Sequence, residues 1–214
     1  MPLVVGFLYD EGIVDRAEQI TSCEETVEGV QVEAEGVEMA TRLFERRVLT
    51  SGCGKSFAFA SALDAFSQAS RRLPDTTPWV GASAIRSAVE VVYRGGELYR
   101  ATRGTHAAAL VDQEGTVVSF AEDIGRHNAV DKVVGKQLVE GRPLGGLFMV
   151  VTGRISSEMV GKVAKTPIPL VVSKSVPTAL ALEYASRLML CVVGRARGSS
   201  FSVYSHPELI DPTG

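Results

Sequence analysis

The chain has 214 residues and a formal net charge of −3, from 22 Lys and Arg against 25 Asp and Glu. Hydrophobic residues make up 45% and charged residues 22%, which is ordinary for a globular protein and excludes a disordered, collagen-like or disulfide-scaffold chain. The mild acidity argues against a general nucleic-acid-binding protein, because such proteins carry a basic excess. No apolar run reaches the length of a membrane span, so we predict neither a nucleic-acid nor a membrane partner.

The three cysteines, Cys23, Cys53 and Cys191, show neither CxxC nor the Cys–His spacing of a zinc site. We therefore expect free thiols in a reducing cytoplasm and no bound metal. The first residues lack the positive start of a signal peptide. Their abrupt apolar run, LVVGFLYD, predicts either residues missing upstream or a partner that covers this end.

The N-terminal part of the chain predicts a small α+β unit. Residues 3–14 form a short helix or strand, and the alternation over Val30–Ala34 predicts a half-exposed strand. The next predicted elements are a strand over Met39–Leu49, a loop around Cys53, a helix over residues 56–73 and a loop over residues 74–82. We place a boundary in that last loop, which gives a small N-terminal α+β domain, 1–80, with the Cys53 loop, and a larger α/β domain, 81–214.

The second part alternates apolar runs with helical patterns, and such a β-α-β repeat predicts a parallel or mixed sheet with helices on both faces. Ser83 is the predicted N-cap of the first helix, Ser156 or Ser157 caps a later one, and Pro177 lies in the first turn of the last. The predicted helices cover residues 83–94, 126–141, 156–165 and 177–189. The predicted strands cover residues 107–111, 116–120, 146–153, 169–174, 190–196 and 201–205.

Basic residues follow four of the predicted strands. Ligands of open α/β sheets bind beyond the carboxyl ends of the strands, and helix N-termini with Arg or Lys can hold phosphates. We therefore predict an anionic ligand with several phosphates, although each strand end alone could be only a capped helix start. The basic residues are Arg126, Arg154, Lys174, Arg195 and Arg197. Glycines 125, 153, 194 and 198 would let the backbone approach a bulky ligand.

Two histidines lie in the same region. His106 and His127 could orient a ligand or move a proton, although a lone histidine is more often structural. For Asp131 and Lys132, on the helix that follows, a role in the site and a place on a solvent-exposed helix face are equally good interpretations.

Cys53 is the sharpest candidate for chemistry. It lies between Gly52 and Gly54 beside Lys55, and a nearby cation favours the nucleophilic thiolate. The alternative is a small buried hydrophobe, which we favour for Cys191 in its apolar run. Acidic neighbours disfavour a thiolate at Cys23.

Several motifs closely resemble the FdhD family of formate dehydrogenase accessory sulfurtransferases. They are FAEDIGRHNAVDKVVG, TGRISSEMVGKVA, PLVVSKSVPTALALEYA and VVGRARGSSFSVYSHPE. The resemblance implies a three-layer α/β/α fold with a mixed sheet, a cytidine-deaminase-like core and a smaller N-terminal domain. The P-C-x-x-C zinc motif of true deaminases is missing, so deamination is not expected.

The resemblance also implies a function. A cysteine desulfurase would load a persulfide onto the loop cysteine, Cys53. The sulfur would pass to the molybdenum of bis-molybdopterin guanine dinucleotide, bound on a homodimer, before that cofactor enters formate dehydrogenase. By motif position the cofactor-binding residues would be Arg195, Ala196, Arg197, Gly198, Ser199, Ser200, Gly104, His106, Glu122, Asp123, Arg126, His127, Arg154 and Lys174.

The chain departs from the family pattern at two places. Thr50 stands where many members carry the first cysteine of C-G-x-C-G-K, so Cys53 is the single thiol of the loop. Thr102-Arg103-Gly104 replaces a common TGG. The first departure keeps a second hypothesis open, a non-catalytic chaperone that binds the guanine dinucleotide without carrying sulfur. A nucleotide-hydrolysing enzyme is a third, and would require turnover rather than binding alone.

Overall fold

The computed structural model describes residues 1–37, 73–75 and 77–214. The helices, in chain order, are α1 (Pro2–Asp10), α2 (Ala82–Gly95), α3 (Glu97–Thr102), α4 (Arg126–Val139), α5 (Ser157–Lys165) and α6 (Ala179–Arg187). The strands are β1 (Ile20–Thr26), β2 (Gly29–Ala34), β3 (Val80–Gly81), β4 (His106–Val111), β5 (Val117–Asp123), β6 (Phe148–Val151), β7 (Leu170–Ser173), β8 (Cys191–Arg197), β9 (Ser200–Ser205) and β10 (Ile210–Asp211). Short 3₁₀ helices lie at Ala17–Gln19 and Pro207–Leu209.

A six-stranded mixed sheet organises the larger part of the molecule, in the order β5-β4-β6-β7-β8-β9. The central strands β6, β7 and β8 run parallel and are joined through α5 and α6, whereas β4 is antiparallel to both of its neighbours and β9 is antiparallel to β8. All four residues of β6 and of β7 are buried, because helices cover both faces of the sheet. The predicted mixed α/β sheet between helices is therefore confirmed.

Two apolar clusters fill the space on either side of this sheet. The first core cluster lies between the sheet and helices α4, α5 and α6, and includes Val133, Met149 and Met159. The second core cluster lies on the opposite face under α2, whose Ile85 and Val89 point into it. The sheet and the helix layers thus form one packed body, in which the strand ends are held in place.

Helix α1 packs directly against α4 through two glycines. A Cβ built on Gly6 would lie 1.8 Å from the carbonyl oxygen of Asp131, and one built on Gly135 would lie 1.8 Å from that of Pro2. Only hydrogen side chains permit this backbone contact. Helix α4 thus covers part of the apolar start of the chain: Val5 is only 2% exposed, whereas Phe7 stays 38% exposed.

The remaining described strands form two smaller sheets. Strands β1 and β2 pair as an antiparallel hairpin, which confirms the predicted strand at Val30–Ala34. Strands β3 and β10 pair in parallel, so part of the predicted loop 74–82 is a short strand. The predicted strand Met39–Leu49 and most of the helix 56–73 fall outside the described residues. The domain division at 80/81 stays a prediction; α1 lies on its N-terminal side and packs against α4 on the other.

Two of the predicted helix starts are wrong in detail. Helix α2 begins at Ala82 and its N-cap is Gly81, so Ser83 lies inside the helix. Pro177 lies before α6 rather than in its first turn, because Thr178 is the N-cap and its hydroxyl accepts a hydrogen bond from the amide of Ala181. Ser156 is confirmed as the N-cap of α5. Among the described residues, no helix is both long and apolar enough to cross a bilayer.

Candidate functional site

The carboxyl ends of β5, β6, β7 and β8 share one edge of the sheet with the amino end of β4, which we call the basic edge. This follows from the antiparallel pairing of β4, whose His106 lies opposite Asp123. The edge collects the predicted site residues of the described chain. They are Gly104, His106, Glu122, Asp123, Arg126, His127, Arg154, Lys174, Arg195, Ala196, Arg197, Gly198, Ser199 and Ser200.

Short hydrogen bonds tie neighbouring strand ends together along this edge. The hydroxyl of Thr152 accepts from the amide of Ala107 at 2.8 Å, which joins β6 to β4. The buried hydroxyl of Ser173 donates to the carbonyl of Gly153 at 2.7 Å. The amide of Arg195 donates to the carbonyl of Ser175 at 3.0 Å. The strand ends that carry Arg154, Lys174 and Arg195 are therefore held in a defined relative position.

The predicted glycines at this edge make room for the protein's own atoms. A Cβ built on Gly153 would lie 2.9 Å from the Cβ of Arg126, and one on Gly194 would lie 2.8 Å from the carbonyl oxygen of Ser175. These two glycines allow the close packing of the strand ends, which corrects the expectation that they open the backbone to a ligand. Gly198 has φ +56 and occupies the turn between β8 and β9.

Positive charge dominates the edge. Arg154, Lys174, Arg195 and Arg197 are exposed, and the described part of the chain offers none of them a carboxylate within ion-pair distance. The Nε of Arg126 is buried and has no hydrogen-bond partner among the described atoms. Unpaired guanidinium and ammonium groups on rigid strand ends are suited to an anionic ligand.

His106 lies among these cations. It is half-buried, and burial together with the nearby Arg126 and Arg154 lowers the pKa of its imidazole. Its ring is therefore kept neutral at physiological pH, which makes it a hydrogen-bonding group rather than a further positive charge.

The two predicted carboxylates are occupied by donors of the chain itself. Glu122 accepts from the amides of Leu98 and Tyr99, at 2.9 and 2.8 Å, and so caps the start of α3. The hydroxyl of Thr105 adds a third bond at 3.1 Å. Burial raises the pKa of Glu122, but these donors outweigh it and lower the pKa overall. The structure thus gives Glu122 a role in shaping the edge.

Asp123 plays the corresponding part for α4. Its carboxylate accepts from the amide of Gly125 at 2.8 Å and from the side-chain amide of Asn128 at 3.1 Å, and it pairs with Lys132. Burial again raises the pKa, and the bond from Lys132 leads the donors that lower it overall. Asp123 therefore fixes the turn that places Arg126 and His127 at the edge.

His127 points away from solvent beneath the edge. Its Nε2 lies 3.5 Å from an Oε2 of Glu158 in α5, without the geometry of a hydrogen bond. Burial, followed by the charges of Arg126, Lys162 and His106, lowers the pKa of His127 to about 4. Protonating this ring therefore requires placing a charge in a buried, already positive region.

We expect His127 to make the protein lose stability as pH falls from 6.5 towards 4. The unfolded chain takes up a proton near the usual 6.5, whereas the folded chain resists until about 4, so acid favours unfolding in this window. In His127→Gln the free energy of unfolding should fall less over that window, by up to about 3 kcal/mol. Urea unfolding at a series of pH values measures this difference, and NMR titration of the ring checks it independently. Parallel profiles for the two proteins would contradict the assignment.

Sequence reasoning missed Tyr93, near the end of α2. Its hydroxyl donates to the carbonyl of Val151 at the end of β6, at 3.1 Å, and the ammonium of Lys174 lies 5.3 Å from its ring centroid. In the sequence Tyr93 follows Val92 on an amphipathic helix, a pattern that indicates packing and carries no sign of the basic edge.

Ala196 has its side chain buried in the second core cluster, between exposed neighbours. Cys53, predicted to carry sulfur, lies outside the described residues.

Comparisons with known proteins agree on one family. Residues 1–211 match the sequence model of the FdhD/NarQ family. The chain is 32% identical over 214 residues to the sulfur carrier protein FdhD of Sulfurisphaera tokodaii, covering 97% of this chain and 79% of that protein. The FdhD of Bacillus subtilis is 34% identical over 213 residues, with the same coverage of both chains.

A solved structure extends the agreement to three dimensions. The crystal structure of a formate dehydrogenase accessory protein from Desulfotalea psychrophila matches with a TM-score of 0.76 and 27% sequence identity. The match covers 98% of this chain and 79% of that one. Sequence and fold therefore lead to the same conclusion: this chain belongs to the FdhD/NarQ family.

Proposed function

We propose that this chain is a sulfur carrier that serves formate dehydrogenase, with Cys53 as the thiol that holds the sulfur. Its relatives bear the name of sulfur carrier proteins, and its structural neighbour that of a formate dehydrogenase accessory protein. A thiolate of Cys53 would attack the terminal sulfur of a cysteine desulfurase persulfide. The desulfurase thiolate would then leave, and the sulfur would remain on Cys53 as a persulfide.

The client we propose is the molybdenum of bis-molybdopterin guanine dinucleotide, which would receive that sulfur before insertion into formate dehydrogenase. The observation that carries this assignment is the basic edge, with four exposed cations that lack carboxylate partners among the described residues. The guanine dinucleotide is a polyanion, so its pyrophosphates fit this chemistry. Arg126, Arg154, Lys174, Arg195 and Arg197 would hold them, and GDP should act as a partial mimic.

The persulfide step has a direct test. We expect the full chain, incubated with a cysteine desulfurase and cysteine, to gain the mass of one sulfur atom, and we expect Cys53→Ala to lose that gain. Cys23→Ala and Cys191→Ala are the matched controls and should load normally. Cys191 is fully buried, and burial followed by the charge of Glu208 raises the pKa of its thiol to about 12, so it holds almost no thiolate. Intact-mass spectrometry under non-reducing conditions reads all four proteins.

The absence of a second loop cysteine, with Thr50 in its place, favours one alternative. A chaperone that binds the cofactor without carrying sulfur would need no thiol at all. The two functions separate in a strain that lacks its own protein of this family. Loss of formate dehydrogenase activity with Cys53→Ala supports the carrier, whereas full activity supports the chaperone. The homodimer and the desulfurase partner stay predictions that sedimentation and pull-down with the desulfurase would check.

A further inference from the structure

Tyr93 contacts the ends of β6 and β7 at the basic edge, from the face of the sheet that α2 covers. Its ring packs against the second core cluster, and its hydroxyl donates to the carbonyl of Val151 at 3.1 Å. Burial raises the pKa of this phenol although the amide of Lys174, the hydroxyl of Ser173 and the charge of Arg197 act to lower it. Tyr93 is therefore a neutral hydrogen-bond donor fixed at the ends of β6 and β7.

Lys174 is the cation that this ring faces. It follows directly on β7, and its ammonium lies 5.3 Å from the ring centroid, within the range of a cation–π attraction. The backbone on either side is held, since the hydroxyl of Ser173 donates to Gly153 and accepts from the amide of Ser175. A long, flexible side chain on a rigid base is thus held at its tip by an aromatic face.

We infer that Tyr93 is a positioning residue, which holds the ammonium of Lys174 at the sheet edge so that it meets the phosphates of the bound ligand. This inference rests on the proposed binding of a guanine dinucleotide. A lysine has several rotatable bonds, and ordering it on binding opposes affinity. A lysine already held against a ring loses less freedom when the ligand arrives, so the ring raises affinity without touching the ligand itself.

A purely structural role for Tyr93 makes a different prediction. If the residue only closes the ends of β6 and β7, its removal should weaken binding whether or not residue 174 carries a charge. If it acts through Lys174, its removal should matter only while that ammonium is present. A double-mutant cycle separates these cases, because coupling appears only between residues that act together.

The test is GDP binding to the full chain by calorimetry, with wild type, Tyr93→Phe, Tyr93→Leu, Lys174→Met and the variant that combines the last two. We expect Tyr93→Leu to weaken binding about three- to fivefold, which is the range of an exposed cation–π contact. Tyr93→Phe keeps the ring and should stay within about twofold of wild type. In the Lys174→Met background, Tyr93→Leu should cause no further loss.

Arg94→Met is the matched control. It removes one positive charge from the residue next to Tyr93, where Arg94 pairs with Glu90 on the exposed face of α2, and should leave GDP affinity unchanged. Two results would overturn this inference but leave the proposed ligand standing. One is an equal loss from Tyr93→Leu in both backgrounds, and the other is a loss with Tyr93→Phe as large as with Tyr93→Leu. A wild-type protein that binds no GDP would overturn the proposed ligand and the inference with it. Should Tyr93→Leu fail to fold, Tyr93→Met fills more of the space and replaces it in the cycle.

Discussion

Gly135→Ala is expected to lower the free energy of unfolding by about 2–3 kcal/mol, although alanine is the better helix former by about 1 kcal/mol. Gly135 lies inside α4, where a Cβ would stand 1.8 Å from the carbonyl oxygen of Pro2 and 2.8 Å from the amide nitrogen of Gly6. Both neighbours are backbone atoms, so no side-chain rotation relieves the clash. Helix α1 must move away from α4 and expose the apolar contact between them.

Urea unfolding of the two proteins measures this effect. Gly145→Ala is the control, because a Cβ at Gly145 would have no atom within 4 Å. That substitution should change stability by no more than about 0.5 kcal/mol or stabilise slightly, since it restricts only the unfolded chain. Equal stability of Gly135→Ala and wild type would show that α1 does not dock on α4 as described.

Lys162→Met is expected to cost about 3–5 kcal/mol, the range for removing one partner of a buried ion pair. The Lys162 side chain is 8% exposed, and its ammonium lies 2.9 Å from Asp131 and 3.2 Å from Glu11. Burial alone would lower the pKa of Lys162, but Asp131, Asp10 and Glu11 outweigh it and raise the pKa. Without the ammonium, the carboxylates of Asp131 and Glu11 would stay in this buried site but would lose the ion pairs that Lys162 gives them.

Two variants sharpen this second test by urea unfolding. Arg187→Met removes a cation from the exposed pair with Glu183 and should cost at most about 1 kcal/mol. Adding Asp131→Asn to Lys162→Met should recover part of the stability, because a neutral amide leaves one less uncompensated charge. A Lys162→Met protein as stable as Arg187→Met would mean that the buried pair is not formed.

Both predictions concern the support of the basic edge. Helix α4 begins there with Arg126 and His127, and one or two turns later it carries Asp131 and Gly135 under α1. The salt bridge from Lys162 joins α5 to the same helix. We therefore expect loosening of α1 to disturb ligand binding at the edge as well as stability.

Local patterns in the sequence sufficed where the physical cause is local. The apolar runs at Phe148–Val151 and Leu170–Ser173 predict strands buried on both faces, and the structure has them. Ser156 before an amphipathic run predicts a helix cap, and its hydroxyl accepts the amide of Met159. The alternation of such elements was enough to predict a sheet between helices and a row of basic residues at its carboxyl edge.

Contacts between distant residues decided the rest. The sequence around Asp131 is equally compatible with a site residue and with a solvent-exposed one. In the structure Asp131 is 1% exposed, and its carboxylate accepts a hydrogen bond under α1 from Lys162, 31 positions away. Glu122 has the residue type and position expected of a ligand-binding residue, but its carboxylate accepts hydrogen bonds from backbone amides 23 and 24 positions away. Spacing along the sequence does not encode such contacts, because they depend on which helices and strands become neighbours.

The sequence by itself thus determined the strands and most of the helices of the larger sheet region, the mixed α/β class and the charge of the edge, because propensity, capping and burial pattern act over a few residues. Only the tertiary structure decided that Glu122 and Asp123 serve the helices beside them, that Gly153 and Gly194 admit the chain's own atoms, and that Tyr93 faces Lys174. The physical reason is that packing brings together groups from separate elements, and their hydrogen bonds and desolvation then set what each can do.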